Sequence, residues 1–182
     1  MTDADIKPLD PGQIAPDFTL EDTLTGEVIT LSALQGEIVV LNFWSGECPW
    51  SRHYDAYFAR RAPEWAQNGI RLLHVKSNLN ETPDDVRRWA AETENFAPVL
   101  DDADGRVALA YGAQTTPHVF LIDTGGRIAY QGAVDDRSFR QREATVNYLD
   151  AAIAAVRAHR MPDPASTPAY GCAIVREFYE EA

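Results

Sequence analysis

Residues 37–51 read EIVVLNFWSGECPWS, and this stretch decides the fold. Its first half, residues 37–44, is almost unbroken apolar sequence, which is typical of a strand buried on both faces of an α/β sheet. Cys48 follows that strand, and Pro49 stands where a helix would begin, because proline is favoured at the first helical position. In open α/β sheets the functional groups lie at the carboxyl ends of the central strands. The sequence therefore places Cys48 where a site is expected.

Short apolar runs alternate with helical patterns on both sides of this stretch. The predicted strands cover residues 18–20, 28–31, 70–76, 98–100, 118–123 and 127–134. Helices are predicted from Cys48 to Asn68, from Thr82, from Asp104 and at the end of the domain. The last of them would begin at Asp136 or Ser138 and carry an apolar stripe that includes Phe139. The alternation predicts an α/β fold, a mixed sheet flanked by helices, with an N-terminal β-hairpin and a C-terminal arm.

Composition divides the chain into three parts. Residues 1–13 show no periodicity and are expected to form a flexible leader, whereas residues 14–160 contain no linker or repeat and are expected to form one domain. Residues 161–182 hold three prolines and Gly171, which predicts an irregular arm. That arm carries Cys172, the second of the chain's two cysteines.

The charge balance and the termini exclude several classes of function. A formal net charge of −12 argues against nucleic-acid binding, which needs a basic surface. No stretch approaches the ~20 apolar residues of a membrane span, so no membrane partner is expected. The acidic N-terminus, MTDADIKPLDPGQ, lacks the apolar run of a secretory signal, and we expect a cytoplasmic location. Two cysteines are too few for a disulfide scaffold or a four-thiolate zinc site.

The surroundings of Cys48 favour a reactive sulfur. A thiol in the first turn of a helix faces unpaired backbone N–H groups and the positive end of the helix dipole, and both favour the thiolate. Ser51 is expected to donate a hydrogen bond to the sulfur, and Arg52 to bring a positive charge to the same face. The alternative is that Cys48 is a small buried apolar residue, since free cysteines are often buried.

The segment Phe43–Ser51 resembles the active-site segment of thioredoxin-like proteins of the redoxin branch. That branch includes membrane-anchored thiol–disulfide oxidoreductases and the alkyl hydroperoxide reductase/thiol-specific antioxidant group. Supporting matches lie at residues 15–20, 98–101, 111–112, 116–123 and 126–128, so the resemblance covers roughly residues 14–135. It implies a thioredoxin-like fold, with a cis peptide bond at Thr116-Pro117 beside the sulfur. Pro117 would then shape a groove, in which Thr116, Pro49 and Trp50 would contact the substrate.

Two departures from the family pattern bear on the activity. Dithiol members carry a second cysteine three residues after the first, where this chain has Ser51. Peroxidatic members carry a proline seven residues before the cysteine and Thr or Ser three residues before it, and this chain has Leu41 and Ser45 there. Because the proline is missing, thiol–disulfide exchange is favoured over peroxide reduction.

A single attacking thiol needs a second thiol to complete a turnover. A mixed disulfide must be resolved by another thiol, and a sulfenic acid must likewise be reduced by one. Cys172 is the candidate within the chain, because the arm has enough slack to fold back over the sheet. Cys172 could equally be a packed tail residue, and the sequence leaves both readings open.

The sequence therefore predicts a redox enzyme that needs no organic cofactor and no metal. The Cys48 thiolate would attack a disulfide, and Cys172 or an external thiol would resolve the product. The expected partners are protein or low-molecular-weight thiols and disulfides, or a peroxide. Three alternatives remain: a peroxiredoxin-like thiol peroxidase, a redox-inactive binding module, and a copper or zinc carrier that uses both cysteines and a histidine.

Overall fold

The computed structural model describes residues 6–94 and 96–176 and contains a five-stranded mixed sheet at its centre. The central strand is β3, Ile38–Phe43, in which every residue is buried, as its apolar run predicts. The other strands of this sheet, in chain order, are β4 (Ile70–Lys76), β5 (Val99–Asp101), β7 (His118–Ile122) and β8 (Ile128–Gly132). The spatial order is β5-β4-β3-β7-β8, with β3 parallel to β4 and antiparallel to β7. The predicted α/β fold is confirmed.

Two small strand pairs lie outside this sheet. The predicted N-terminal hairpin is confirmed as β1 (Thr19–Glu21) antiparallel to β2 (Val28–Thr30). The second pair joins β6, Thr115–Thr116, to β9, Cys172–Ala173, and so attaches the C-terminal arm to the domain. The helices are α1 (Pro49–Arg52), α2 (Asp55–Gln67), α3 (Pro83–Ala90), α4 (Arg106–Tyr111) and α5 (Tyr148–Arg157). Within the described residues, no helix has the length and apolarity needed to cross a membrane.

A hydrophobic core covers each face of the central sheet. Alternate residues of β3 point to opposite faces, so Leu41 and Phe43 join one core while Val40 joins the other. The core around Leu41 is closed by α4, and the core around Val40 is closed by Phe58 of α2 and Leu149 of α5. This arrangement fixes β3, and with it the loop that carries Cys48, between two packed layers.

The helix boundaries differ from the predicted ones at two places. The helix expected from Cys48 to Asn68 is divided, because α1 ends at Arg52 and α2 begins at Asp55. The last helix begins at Tyr148, and its N-cap is Asn147, whose side chain accepts a hydrogen bond from the Asp150 amide at 2.8 Å. The predicted start at Asp136 or Ser138 is wrong.

The reason for the later start is the loop before α5. The Asp136 carboxylate accepts hydrogen bonds from the Thr145 and Val146 amides and closes this segment as a loop instead of starting a helix. Phe139 therefore lies outside the apolar stripe of α5 and is 76% exposed.

Both ends of the described chain are attached to the domain. From the predicted leader, Ile6 is buried, and the Leu9 and Gly12 amides donate to the carbonyls of Tyr111 and Ile128. Within the predicted arm, the Ile174 amide donates to the Gln114 carbonyl at 3.0 Å. Residues 1–5 of the leader and 177–182 of the arm lie outside the described residues.

Candidate active site

Cys48 lies between the end of β3 and the start of α1, as the sequence predicts. It is the N-cap residue of α1, Pro49 occupies the first turn, and the Ser51 amide donates to the Cys48 sulfur at 3.4 Å. The chain reaches this position because β3 extends to Phe43 and the Trp44 amide continues the pairing with the Val75 carbonyl at 2.9 Å. Cys48 is only 2% exposed, so other groups of the protein cover its sulfur.

One of these groups is the second cysteine. The sulfurs of Cys48 and Cys172 lie 2.8 Å apart, although the two residues are 124 positions apart in the chain. Strand β9 brings them together, because Cys172 is the register partner of Thr116 in β6. Both thiols are free. Burial, together with the adjacent Cys48 thiol, raises the pKa of Cys172 to about 12. Ionisation of the Cys172 thiol is therefore unfavourable while it lies against Cys48.

The other group is the backbone before Pro117. The Thr116-Pro117 peptide bond is cis, which confirms the conformation implied by the family resemblance. The Thr116 carbonyl oxygen lies 3.0 Å from the Cys48 sulfur. The Thr116 carbonyl thus contacts Cys48 while β6, the strand of Thr116, pairs with β9, which contains Cys172, and one short segment aligns both thiols.

Ser51 and Arg52, the two residues expected to assist the sulfur, also have other partners in the structure. It is the Ser51 amide that contacts the sulfur, whereas the Ser51 hydroxyl accepts a hydrogen bond from the Ser45 amide at 3.2 Å. The guanidinium of Arg52 bonds Glu92 and lies 3.7 Å from the Asp55 carboxylate. These carboxylates are its described partners, and the electrostatic assistance expected from Arg52 stays a prediction.

A buried carboxylate supports the loop before Cys48, and sequence reasoning missed it. Oε1 of Glu81 accepts hydrogen bonds from the Ser45 hydroxyl at 2.5 Å and from the Glu47 amide at 2.9 Å. Glu81 is 3% exposed, its Oε2 has no hydrogen-bond partner among the described residues, and burial raises the pKa of Glu81. Its position shortly after β4, the neighbour of β3, is the signal that could have found it.

Aromatic contacts join the arm to α1. Trp50 makes edge-to-face contacts with Phe139 and Tyr170, with ring centroids 5.2 and 5.0 Å apart. The Tyr170 hydroxyl also accepts a hydrogen bond from the Phe139 amide at 2.9 Å. Trp50 and Pro49 line a surface cleft next to these rings. Their predicted contact with substrate stays a prediction, as does that of Thr116.

The metal-carrier alternative needs a third ligand beside the two cysteines. Among residues 6–94 and 96–176, no three His, Cys, Asp or Glu side chains converge as a metal site. His74 and His118 are buried within strands, where His74 contacts Asn42 and His118 contacts Gln131. What the site presents is therefore a pair of thiols in contact, aligned by backbone groups.

Comparisons with known proteins give relatives for most of the chain. The model of the AhpC/TSA family matches residues 11–131. The thiol-disulfide oxidoreductase ResA of Geobacillus thermodenitrificans is 32% identical over 117 residues, which are 64% of this chain and 66% of that protein. ResA of Bacillus subtilis is 33% identical over 117 residues and is covered to 64%. The chain thus spans just under two thirds of the length of these two relatives.

A solved structure extends the likeness beyond residue 131. The hypothetical protein SMc02350 from Sinorhizobium meliloti 1021 superposes with a TM-score of 0.85 at 29% identity. The match covers 95% of this chain and 98% of that one, so it includes much of the chain that follows the family match. The family match over residues 11–131 covers well over half of the chain, and the chain belongs to the AhpC/TSA family.

Proposed function

We propose that this protein is a thiol–disulfide oxidoreductase whose redox pair is Cys48 and Cys172. The observation that carries the proposal is the distance of 2.8 Å between their sulfurs. Contact between two free thiols from distant segments is what formation of a reversible disulfide requires. The names of the two ResA relatives support the same activity.

Each cysteine has its own step in the proposed cycle. The Cys48 thiolate attacks one sulfur of a substrate disulfide, forms a mixed disulfide, and releases the other sulfur as a thiolate, which takes up a proton. Cys172 then attacks the Cys48 sulfur, and its proton passes to the departing substrate sulfur, so that the second substrate thiol is released and a Cys48–Cys172 disulfide is left. The substrate gains two electrons and two protons, and two equivalents of an external thiol must reduce the pair before the next cycle.

Access to Cys48 depends on the arm. With Cys172 and Thr116 against it, the Cys48 sulfur is nearly closed to solvent. Strand β9 is only two residues long, so its separation from β6 breaks few backbone hydrogen bonds, but Ile174 beside it must also leave the core. We therefore propose that the arm leaves the site to admit a substrate and returns to resolve the mixed disulfide.

The contacts of Ser45 count against the peroxidase alternative. Ser45 stands where peroxidatic members have Thr or Ser, and its hydroxyl donates its hydrogen bond to the Glu81 carboxylate. Position 41 is leucine, where peroxidatic relatives have proline. The cytoplasmic location expected from the N-terminal sequence belongs to this proposal as well, and fractionation of cells that express the full chain would test it.

The test is to treat the reduced protein with oxidised glutathione and to map its thiols by mass spectrometry. The wild type should form a Cys48–Cys172 disulfide that dithiothreitol reduces again. Cys172→Ser should accumulate a glutathione adduct on Cys48, and Cys48→Ser should form no intrachain disulfide. Two inert thiols in the wild type would instead favour a binding module. Rapid oxidation of Cys48 by hydrogen peroxide, without exchange, would favour a peroxidase.

A further inference from the structure

A surface cleft begins at the residue that follows Cys48. It has a volume of about 360 Å³, and the side chains that line it include Pro49, Trp50, His53, Arg137, Phe139 and Arg142. Small-molecule sites in proteins have volumes of about 300–1,000 Å³, so the cleft has the size of a site for a small ligand. Phe139, which is 76% exposed, lines this cleft together with Trp50.

The charge of the cleft is opposite to that of the whole chain. The chain carries a formal charge of −12, yet two arginines line the cleft, and no described lining residue is Asp or Glu. Burial, followed by the Arg137 cation, lowers the pKa of His53. The cleft therefore presents two guanidinium groups beside apolar rings, a combination that suits a carboxylate-bearing ligand with an apolar or amide body.

The nearby carboxylates are engaged in holding the loop that carries these arginines. Asp135 lies 3.9 Å from the Arg137 Nε atom and accepts hydrogen bonds from the Tyr54 hydroxyl at 2.6 Å and the Arg137 amide at 2.9 Å. Asp136 accepts from the Gln141 side chain at 2.6 Å and the Thr145 amide at 2.8 Å. The loop is thus fixed by its own acidic residues.

We propose that this cleft binds a low-molecular-weight thiol or disulfide that carries carboxylates and has the size of a short acidic peptide. The inference rests on the proposed function, because it names the substrate class that Cys48 would meet there. Arg137 and Arg142 bind the carboxylates, and Trp50 and Phe139 contact the rest of the ligand. Cys48 does not itself line the cleft, but Pro49 does and adjoins it in the chain, so a ligand held here can reach the Cys48 sulfur when the arm leaves the site.

The first test measures binding without any redox chemistry. S-methylglutathione carries two carboxylates but no free thiol, and its affinity is measured by calorimetry with the full chain. We expect the Arg137→Gln/Arg142→Gln variant to bind about fivefold more weakly, because it removes both cations that face the carboxylates of the ligand. The single variant Arg142→Gln changes an exposed residue and should lose part of the affinity for S-methylglutathione. Arg160→Gln lies outside the cleft and should bind like the wild type. Equal binding by all four proteins, or no binding by the wild type, overturns the proposal.

The second test compares two disulfide reagents. The rate of mixed-disulfide formation on Cys48 is measured with anionic dithiodipropionate and with neutral bis(hydroxyethyl) disulfide. We expect the ratio of the two rates to fall at least about fivefold in Arg137→Gln/Arg142→Gln, and to fall in the wild type as salt is raised. An unchanged ratio contradicts the cleft proposal.

The two tests also separate the cleft from the proposed redox activity. If Cys48 reacts with neither reagent while S-methylglutathione binds, the oxidoreductase proposal fails and the cleft stands. If Cys48 reacts with the neutral reagent while S-methylglutathione does not bind, the cleft proposal fails and the redox activity stands.

Discussion

Gly171 is the residue that lets the two sulfurs meet. A Cβ atom at this position would lie 2.0 Å from the Thr116 carbonyl oxygen and 2.6 Å from its carbon. These are backbone atoms of β6, the strand that pairs with β9, so they cannot turn aside as a side chain would. Glycine is required here for close approach of two backbones.

Gly171→Ala should therefore loosen the arm. Overpacking costs about 1–3 kcal/mol, so we expect the Cys48–glutathione mixed disulfide to convert to the Cys48–Cys172 disulfide roughly tenfold more slowly. Cys48 should also react faster with iodoacetamide, because the arm covers it for less of the time. Gly125→Ala is the control, since its Cβ would meet only the Asp123 side chain, at 3.3 Å. An unchanged closure rate in Gly171→Ala would show that the arm does not need this close approach.

Glu81 gives a second prediction for a single residue. Glu81→Ala removes the acceptor for the Ser45 hydroxyl and the Glu47 amide, and leaving such buried donors unpaired costs about 1–3 kcal/mol. Glu81→Gln keeps an acceptor oxygen at the same place and should retain most of the stability. Urea unfolding measures both variants. Equal losses in the two would mean that the hydrogen bonds to Glu81 do not stabilise the loop before Cys48.

At the level of elements, Asp55 joins the end of β3 to the start of α2. Its carboxylate accepts a hydrogen bond from the Trp44 indole at 2.9 Å, and burial raises the pKa of Asp55 to about 6. The ordinary pKa of an aspartate is near 3.8, so between about pH 4 and 6 the folded protein holds a proton that the unfolded chain releases. The free energy of unfolding that comes from this group is therefore lost as the pH rises through this range.

Asp55→Asn should remove this pH dependence. The asparagine oxygen can still accept from Trp44, and the variant should gain up to about 3 kcal/mol relative to the wild type between pH 4 and 7. The difference between the two urea unfolding curves, measured across that range, isolates the contribution of Asp55. Asp84→Asn, at a side chain 92% exposed, is the matched control for loss of an acidic group at the surface. A flat difference for Asp55→Asn would contradict the raised pKa.

The elements that the sequence predicts well are those with a strong local signal. The apolar run before Cys48 predicts β3, and Pro49 predicts the helix start, because burial and the first helical turn are determined by neighbouring residues. The pairing of β6 with β9 has no such signal, since each strand is two residues long and their partners are distant in the chain. The start of α5 was missed because the hydrogen bonds of Asp136 compete with a helix cap.

For the whole molecule, the contact between the two cysteines means that oxidation should change global stability. A Cys48–Cys172 disulfide would close a loop of more than a hundred residues, since the two cysteines are 124 positions apart. By the chain-entropy argument such a link stabilises the fold by about 2–5 kcal/mol. We expect the oxidised protein to unfold at a higher urea concentration than the reduced protein. Cys172→Ser should show no such difference, and equal midpoints for the two wild-type forms would exclude a native disulfide.

The described arm also covers Cys48 and the edge of β6. A protease that cut the chain shortly before Gly171 would remove Cys172 and leave the edge of β6 unpaired beside an uncovered Cys48. Unpaired strand edges attract other extended chains, and a monothiol without its resolving partner remains trapped on whatever it attacks. A chain trimmed in this way would form stable complexes with other polypeptides, each held by one mixed disulfide and a few backbone hydrogen bonds.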